Sequence, residues 1–270
     1  MKKYISSIAS ITLMGAFLFG IVAVAEANHQ WGTYHWARTS NPFTLKAVDS
    51  VTASWDSYLN MTISDWSVSA VLDVVKENGS TSNTDRRRCS PTAGKIHVCN
   101  NTYGNNGWLG IASIWANGDH ITQGTTKLND TYFNTTTYNT SAWRNLVMCQ
   151  EVGHTLGLDH QDENFTNGNL ETCMDYTNNP ATNQHPNAHD YAQLEAMYAH
   201  LDTSTTIAAA LPTGKANDVD TTDPKEWGKT VRESRDGRLS VYERDFGNGE
   251  KLITHVYWVE GNERGARAER

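Results

Sequence analysis

The stretch Gln150-Glu151-Val152-Gly153-His154-Thr155-Leu156-Gly157-Leu158-Asp159-His160 constrains this chain more than any other. On a helix, positions 150 and 154 share one face, and Glu151 stands beside them. A metal held at that face would have a carboxylate in reach to take a proton from water. Gly157 lets the chain leave the helix through a left-handed conformation, so that His160 can swing back as a further ligand. Three protein ligands and one open position are the arrangement of a catalytic zinc. The helix that carries the stretch starts at Ser141, a serviceable N-cap. Trp143, Val147, Gln150 and His154 line one of its sides, and Cys149, Val152 and Leu156 another. A helix apolar on two sides belongs in the middle of a domain.

A short loop beyond His160 comes Cys173-Met174-Asp175-Tyr176. Together the two segments resemble the metzincin zinc metallopeptidases, and within them the secreted, matrixin-like bacterial type. In that family the long motif opens with His; this chain has Gln150 in that place. The resemblance implies an α+β catalytic domain with a twisted mixed sheet, an active-site helix, a Met-turn and a C-terminal helix. It further implies a Zn2+-dependent endopeptidase acting on peptide or protein. Metal ligation would fall to His154, His160 and the Gln150 position. Glu151 would be the general base, Met174 would lie beneath the metal, and Tyr176 would stabilise the oxyanion. Relatives often carry a structural Ca2+; Asp119, Asp130, Asp159 and Asp162 are the acidic candidates, although no loop has a calcium-binding spacing.

A neutral amide oxygen is a poorer zinc donor than imidazole, and three readings of Gln150 stay open. It coordinates through its amide oxygen; or another histidine, His185 or His189 being nearest, takes the place; or the chain is a catalytically impaired relative that binds peptide or protein without cleaving it.

Residues 1–27 read as a secretory signal, with Lys2 and Lys3, an apolar run over Ile11–Ala25, and a small-x-small site at Ala25-Glu26-Ala27. Export suits the four cysteines, Cys89, Cys99, Cys149 and Cys173. Three pairings are open; Cys89–Cys99 would close a short loop, and Cys149–Cys173 would tie the helix to the Met turn. Net charge is −8, and removing the signal makes it one unit more negative. An acidic surface argues against nucleic acid and against an anionic membrane as partners.

Along the rest of the chain, 32–36 and 43–46 read as extended. Val48, Val51, Trp55 and Leu59 recur at helical spacing, so a first helix is expected over 47–60. Ser67–Val75 and Lys95–Cys99 are strand-like, with a polar surface loop over Asn78–Arg88 between them. Trp108–Trp115 is an apolar strand broken by glycine. It is either an exposed cleft edge that takes up an extended peptide by strand addition or an interior strand whose glycine marks a bulge. Tyr191, Leu194, Tyr198 and Leu201 give a last helix after Pro186-Asn187. The expected division is therefore a catalytic domain over 28–202, a linker over 203–225, a C-terminal β-hairpin over 226–260 that turns at Phe246-Gly247-Asn248-Gly249, and a disordered tail over 261–270. The hairpin is expected to lie on the catalytic domain, with Trp227 and Trp258 as anchors, or to meet a partner.

Overall fold

The computed structural model describes residues 29–209 and 219–261. The expected signal segment, part of the expected linker and all but the first residue of the expected tail lie outside these.

The first long strand forms where Phe43, Leu45 and Ala47 alternate with Thr44 and Lys46, a period-2 pattern whose buried set faces the core. This corrects the expected helix over 47–60. The strand β2 runs Phe43–Ser50, after the short β1 at His35–Trp36, and helix α1 begins only at Asp56 and ends at Trp66. Val48 and Val51 belong to the strand and its exit, so their spacing from Trp55 is not one helix face. Strands β3 (Leu72–Asn78) and β4 (Ile96–Asn101) flank β2 in parallel. Between them the polar stretch expected as loop contains a short helix, α2 (Asn83–Arg88), capped by the Ser82 hydroxyl.

Strand β5 (Trp108–Asn117) and strand β6 (His120–Asn129) form an antiparallel pair, and β6 continues in parallel to β4 and β1. A single helical turn, α3 (Asp130–Phe133), follows β6. The segment after residue 225 supplies three strands rather than a two-stranded hairpin: β7 (Lys229–Glu233), β8 (Leu239–Gly247) and β9 (Glu250–Trp258). Asn248 and Gly249 both have positive φ, 55° and 83°, as a tight hairpin turn between β8 and β9 demands. The resulting sheet has the order β3-β2-β4-β6-β5-β9-β8-β7.

Strand β9 pairs along the whole of β5, from Trp108↔Trp258 to Asn117↔Glu250. Strand β5 is thus interior, and the exposed-edge expectation for 108–115 is corrected. The edge is filled from within the same chain, and the register shift between Trp108 and Gly110 is the bulge that the alternative reading attached to its glycine. Trp227 and Trp258 do meet, at 6.0 Å between ring centroids, in a small cluster with Trp108 and Val256.

Helix α4 (Ser141–Thr155) lies against this sheet, buried from Trp143 to Thr155. Its N-cap is Thr140, one residue earlier than the sequence indicated, with the hydroxyl accepting from the Trp143 N–H at 3.2 Å. Two sheet glycines let it approach closely: a Cβ on Gly110 would lie 2.6 Å from Glu151 Oε1, and one on Gly124 would lie 3.1 Å from Thr155 Cβ. On its other side the Trp66 indole of α1 donates to the Cys149 carbonyl. Helix α5 (Ala188–Met197) closes the first part of the chain through a capping box at Asn187 and Asp190. Cys89 is joined to Cys99, and Cys149 to Cys173. Among the described residues no helix is long and apolar enough to cross a membrane.

Candidate metal centre

Gly157 has φ 96°, and its Cα approaches the Tyr34 backbone so closely that a Cβ would sit 2.4 Å from the Tyr34 carbonyl oxygen. This left-handed exit turns the chain so that His160 returns beneath the helix. The rings of His154 and His160 are 4.4 Å apart between centroids. The third member of the group is His255, from the middle of β9, whose ring stacks on that of His154 at 3.9 Å and 9°. One ligand nitrogen from each of His154, His160 and His255 falls within 4.8 Å of the others, and all three residues are buried.

Gln150 is turned elsewhere: its amide nitrogen donates to the Cys173 carbonyl at 2.9 Å, on the disulfide-linked loop. His185 lies at the surface against Asp65, and His189 stacks on His29 at 4.8 Å. Neither joins the group. His255 was missed because it stands nearly a hundred residues beyond His160, and no local spacing connects them. The one signal available was its chemistry: an imidazole in the centre of a strand buried on both faces.

The polar atoms here are short of partners. His154 is oriented by its Nδ1, which donates to the Leu158 carbonyl at 2.9 Å, leaving Nε2 bare. Among the described residues, both ring nitrogens of His160 and of His255, Glu151 Oε2 and the Tyr176 hydroxyl have no hydrogen-bond partner. His160 Nδ1 comes 3.3 Å from Asp159 Oδ1, out of line for a good hydrogen bond. Each such buried atom costs about 1–3 kcal/mol when left unpaired, and their concentration at one point is what a metal and its water would satisfy. Burial pushes all three imidazoles below the ordinary histidine range, and their mutual repulsion adds to this for His154 and His255. They are therefore held neutral, the form that binds metal. A neutral three-histidine donor set fits zinc.

Glu151 reaches over Gly110 and accepts the Ala112 N–H; burial nevertheless raises its carboxyl well above the usual range. Tyr176 stacks on His160 at 4.2 Å and on Phe165 at 4.6 Å, and burial raises its phenol too. Met174 is fully buried, its sulfur against Gly153 on the underside of α4. The four aspartates considered for calcium are taken up separately. Asp119 accepts from Thr33, Asp130 from the Trp55 indole, Asp162 from the Asn164 N–H, and Asp159 pairs with Arg232 through both oxygens.

The C-terminal strands roof this centre. Arg232 of β7 grips Asp159 and also reaches Glu163 at 3.2 Å, while Arg238 lies 3.9 Å above the Phe165 ring. Burial would raise the Asp159 carboxyl, but the Arg232 guanidinium on both its oxygens outweighs it and holds it low. Tyr257 stands 5.5 Å from Tyr176, and Trp31 packs edge-on to His255 at 4.1 Å.

The sequence matches no known protein family and no curated protein. Among solved structures it is similar to high choriolytic enzyme 1, a hatching-enzyme zinc protease from the medaka fish Oryzias latipes. Sequence identity is 11% and the TM-score 0.36, over 64% of this chain and 99% of that one.

Proposed function

We propose that this protein is a secreted zinc-dependent endopeptidase of metzincin type in which His255, not Gln150, completes the ligand set with His154 and His160. The carrying observation is the group of buried, partnerless polar atoms on His160, His255, Glu151 and Tyr176. Zinc bound there supplies Lewis acidity, polarising a carbonyl and acidifying water. Glu151 takes the water proton and passes it to the leaving amine; a positive charge beside it restores the ionised form that burial disfavours. Tyr176 has a free hydroxyl to donate to the oxyanion. Gln150 holds the helix to the Cys173 loop. The surface cleft lined by Glu163, Phe165, Arg235 and Asp236 lies one ring away from Tyr176 and offers an approach for substrate.

One observation favours a second reading, a protein that binds peptide without cutting it: Gln150, in the first ligand position of the motif, is bonded to the Cys173 carbonyl and turned from the imidazoles. The two part on paired variants. Under the peptidase reading, His255→Ala loses zinc by elemental analysis, and Glu151→Ala keeps zinc but loses at least 100-fold in hydrolysis of an unfolded protein substrate. A native protein that holds zinc and cleaves nothing in a mixed peptide library would sink the peptidase reading and leave the binding one.

A further inference from the structure

Away from the first centre, three more imidazoles converge on one carboxylate oxygen. His35 lies on β1, His120 opens β6, and His200 and Asp202 follow α5. The Nε2 atoms of His35, His120 and His200 lie 3.5, 3.2 and 3.8 Å from Asp202 Oδ1, and those of His35 and His200 are 3.2 Å apart. The edges of a tetrahedron with zinc–nitrogen and zinc–oxygen bonds near 2.0–2.1 Å are about 3.3 Å. The ligand atoms of His35, His200 and Asp202 are thus spaced to surround a small cation, with His120 bonded to the carboxylate beside them.

Their hydrogen bonding leaves that cation's place unfilled by any other group described. His35 Nδ1 is 2.8 Å from the Thr33 carbonyl and must donate to it, so the neutral ring turns a bare Nε2 lone pair toward Asp202. Asp202 Oδ2 is already committed to Arg38, through its backbone N–H at 3.1 Å and its guanidinium at 2.9 Å. Oδ1 is left pointing at the imidazoles. Arg38 is itself fixed over the Tyr198 ring at 4.7 Å and donates to the His200 carbonyl, so the carboxylate and the residue carrying one imidazole are positioned by the same side chain. The contacts of His200 Nε2 with His35 Nε2 and Asp202 Oδ1 at 3.2 and 3.8 Å need either a proton on that nitrogen or a cation among the three atoms.

We propose that His35, His200 and Asp202 form a second metal site, for zinc or a divalent ion of similar preference, independent of the peptidase reading. Two imidazoles and one carboxylate would hold the ion, with a fourth position left for water. It fastens the N-terminal strand to the segment that follows α5, and the loop it closes is long, so the metal restricts the unfolded chain strongly.

The test is zinc per chain after dialysis of the whole protein against micromolar zinc and then zinc-free buffer. His120→Ala combined with His200→Ala removes one ligand and the imidazole beside it, 53% and 38% exposed respectively, so folding is not at stake. That pair should lose about one zinc per chain relative to the native protein. A second variant, His154→Ala with His160→Ala, should keep about one zinc, with X-ray absorption showing a shell of nitrogen and oxygen donors. If the His120/His200 pair binds as much zinc as the native chain, the four residues are a hydrogen-bonded cluster and the proposal fails. It fails equally if the His154/His160 pair is folded by circular dichroism and holds no zinc. Loss of zinc confined to the His120/His200 pair would keep this site and remove the first.

Discussion

A glycine inside a helix costs roughly 1 kcal/mol against alanine, yet Gly153 sits one residue before His154 in the most buried helix of the molecule. Its place is fixed by contact: a Cβ there would stand 2.7 Å from both the Met174 sulfur and the Trp66 ring. Gly153→Ala is therefore expected to lower stability by about 1–3 kcal/mol despite the gain in helix propensity, measured as a shift in urea midpoint at unchanged m-value. Lys127 is a second residue whose environment decides its behaviour. Burial brings its amine down from 10.5 to about 8, beneath the Tyr103 ring. The charged form is thus penalised in the fold: the cost is constant below pH 8 and fades as pH rises from 8 toward 10.5. Lys127→Met should raise stability at pH 7 by on the order of 1–3 kcal/mol, and the advantage over the native protein should shrink between pH 8 and pH 9.5. A constant difference across that range would show that the amine is not the cause. Glu151, His154, Gly157 and His160 could be read from the sequence at this scale, since helix geometry and one left-handed residue bring them together locally. His255 could not, because only pairing across the sheet delivers it.

At the level of elements, α4, α5 and the Asn248-Gly249 hairpin were legible because each rests on a local period, cap or turn. The second half of the strand at 43–50 was not: Val48, Val51, Trp55 and Leu59 mimic a helical stripe, and the alternation begun at Phe43, Leu45 and Ala47 prevails over it only once β3 and β4 pair on either side. The status of β5 was undecidable locally, since an apolar run reads alike at an edge and in an interior. Pairing with both β6 and β9 makes a definite expectation possible. Ser113 faces Thr125 on one side and Thr254 on the other, with its hydroxyl 3.1 Å from that of Thr254. Ser113→Pro removes a ladder N–H from the middle of the sheet and should destabilise the whole protein by at least about 2–3 kcal/mol, seen as cooperative unfolding at lower temperature. A variant that kept its melting point and lost only peptide cleavage would instead return β5 to the role of an edge.

For the molecule as a whole, the segment from residue 226 is part of the sheet, and Arg232, Arg238 and the packing of Trp227 and Trp258 with Trp108 bind it to the first part of the chain. A chain ending at residue 209 should bear an uncovered β5, aggregate at micromolar concentration, and hold one zinc fewer than the whole protein, checked by light scattering beside elemental analysis. His255 also sets a clock. Chains emerge from the ribosome N-terminus first, and His154 on α4 and His160 just beyond it are complete about a hundred residues before the third imidazole exists. The first centre therefore cannot close on a partial product. A chain cut short before residue 255 would lack one imidazole of the proposed centre, whatever else of it has folded.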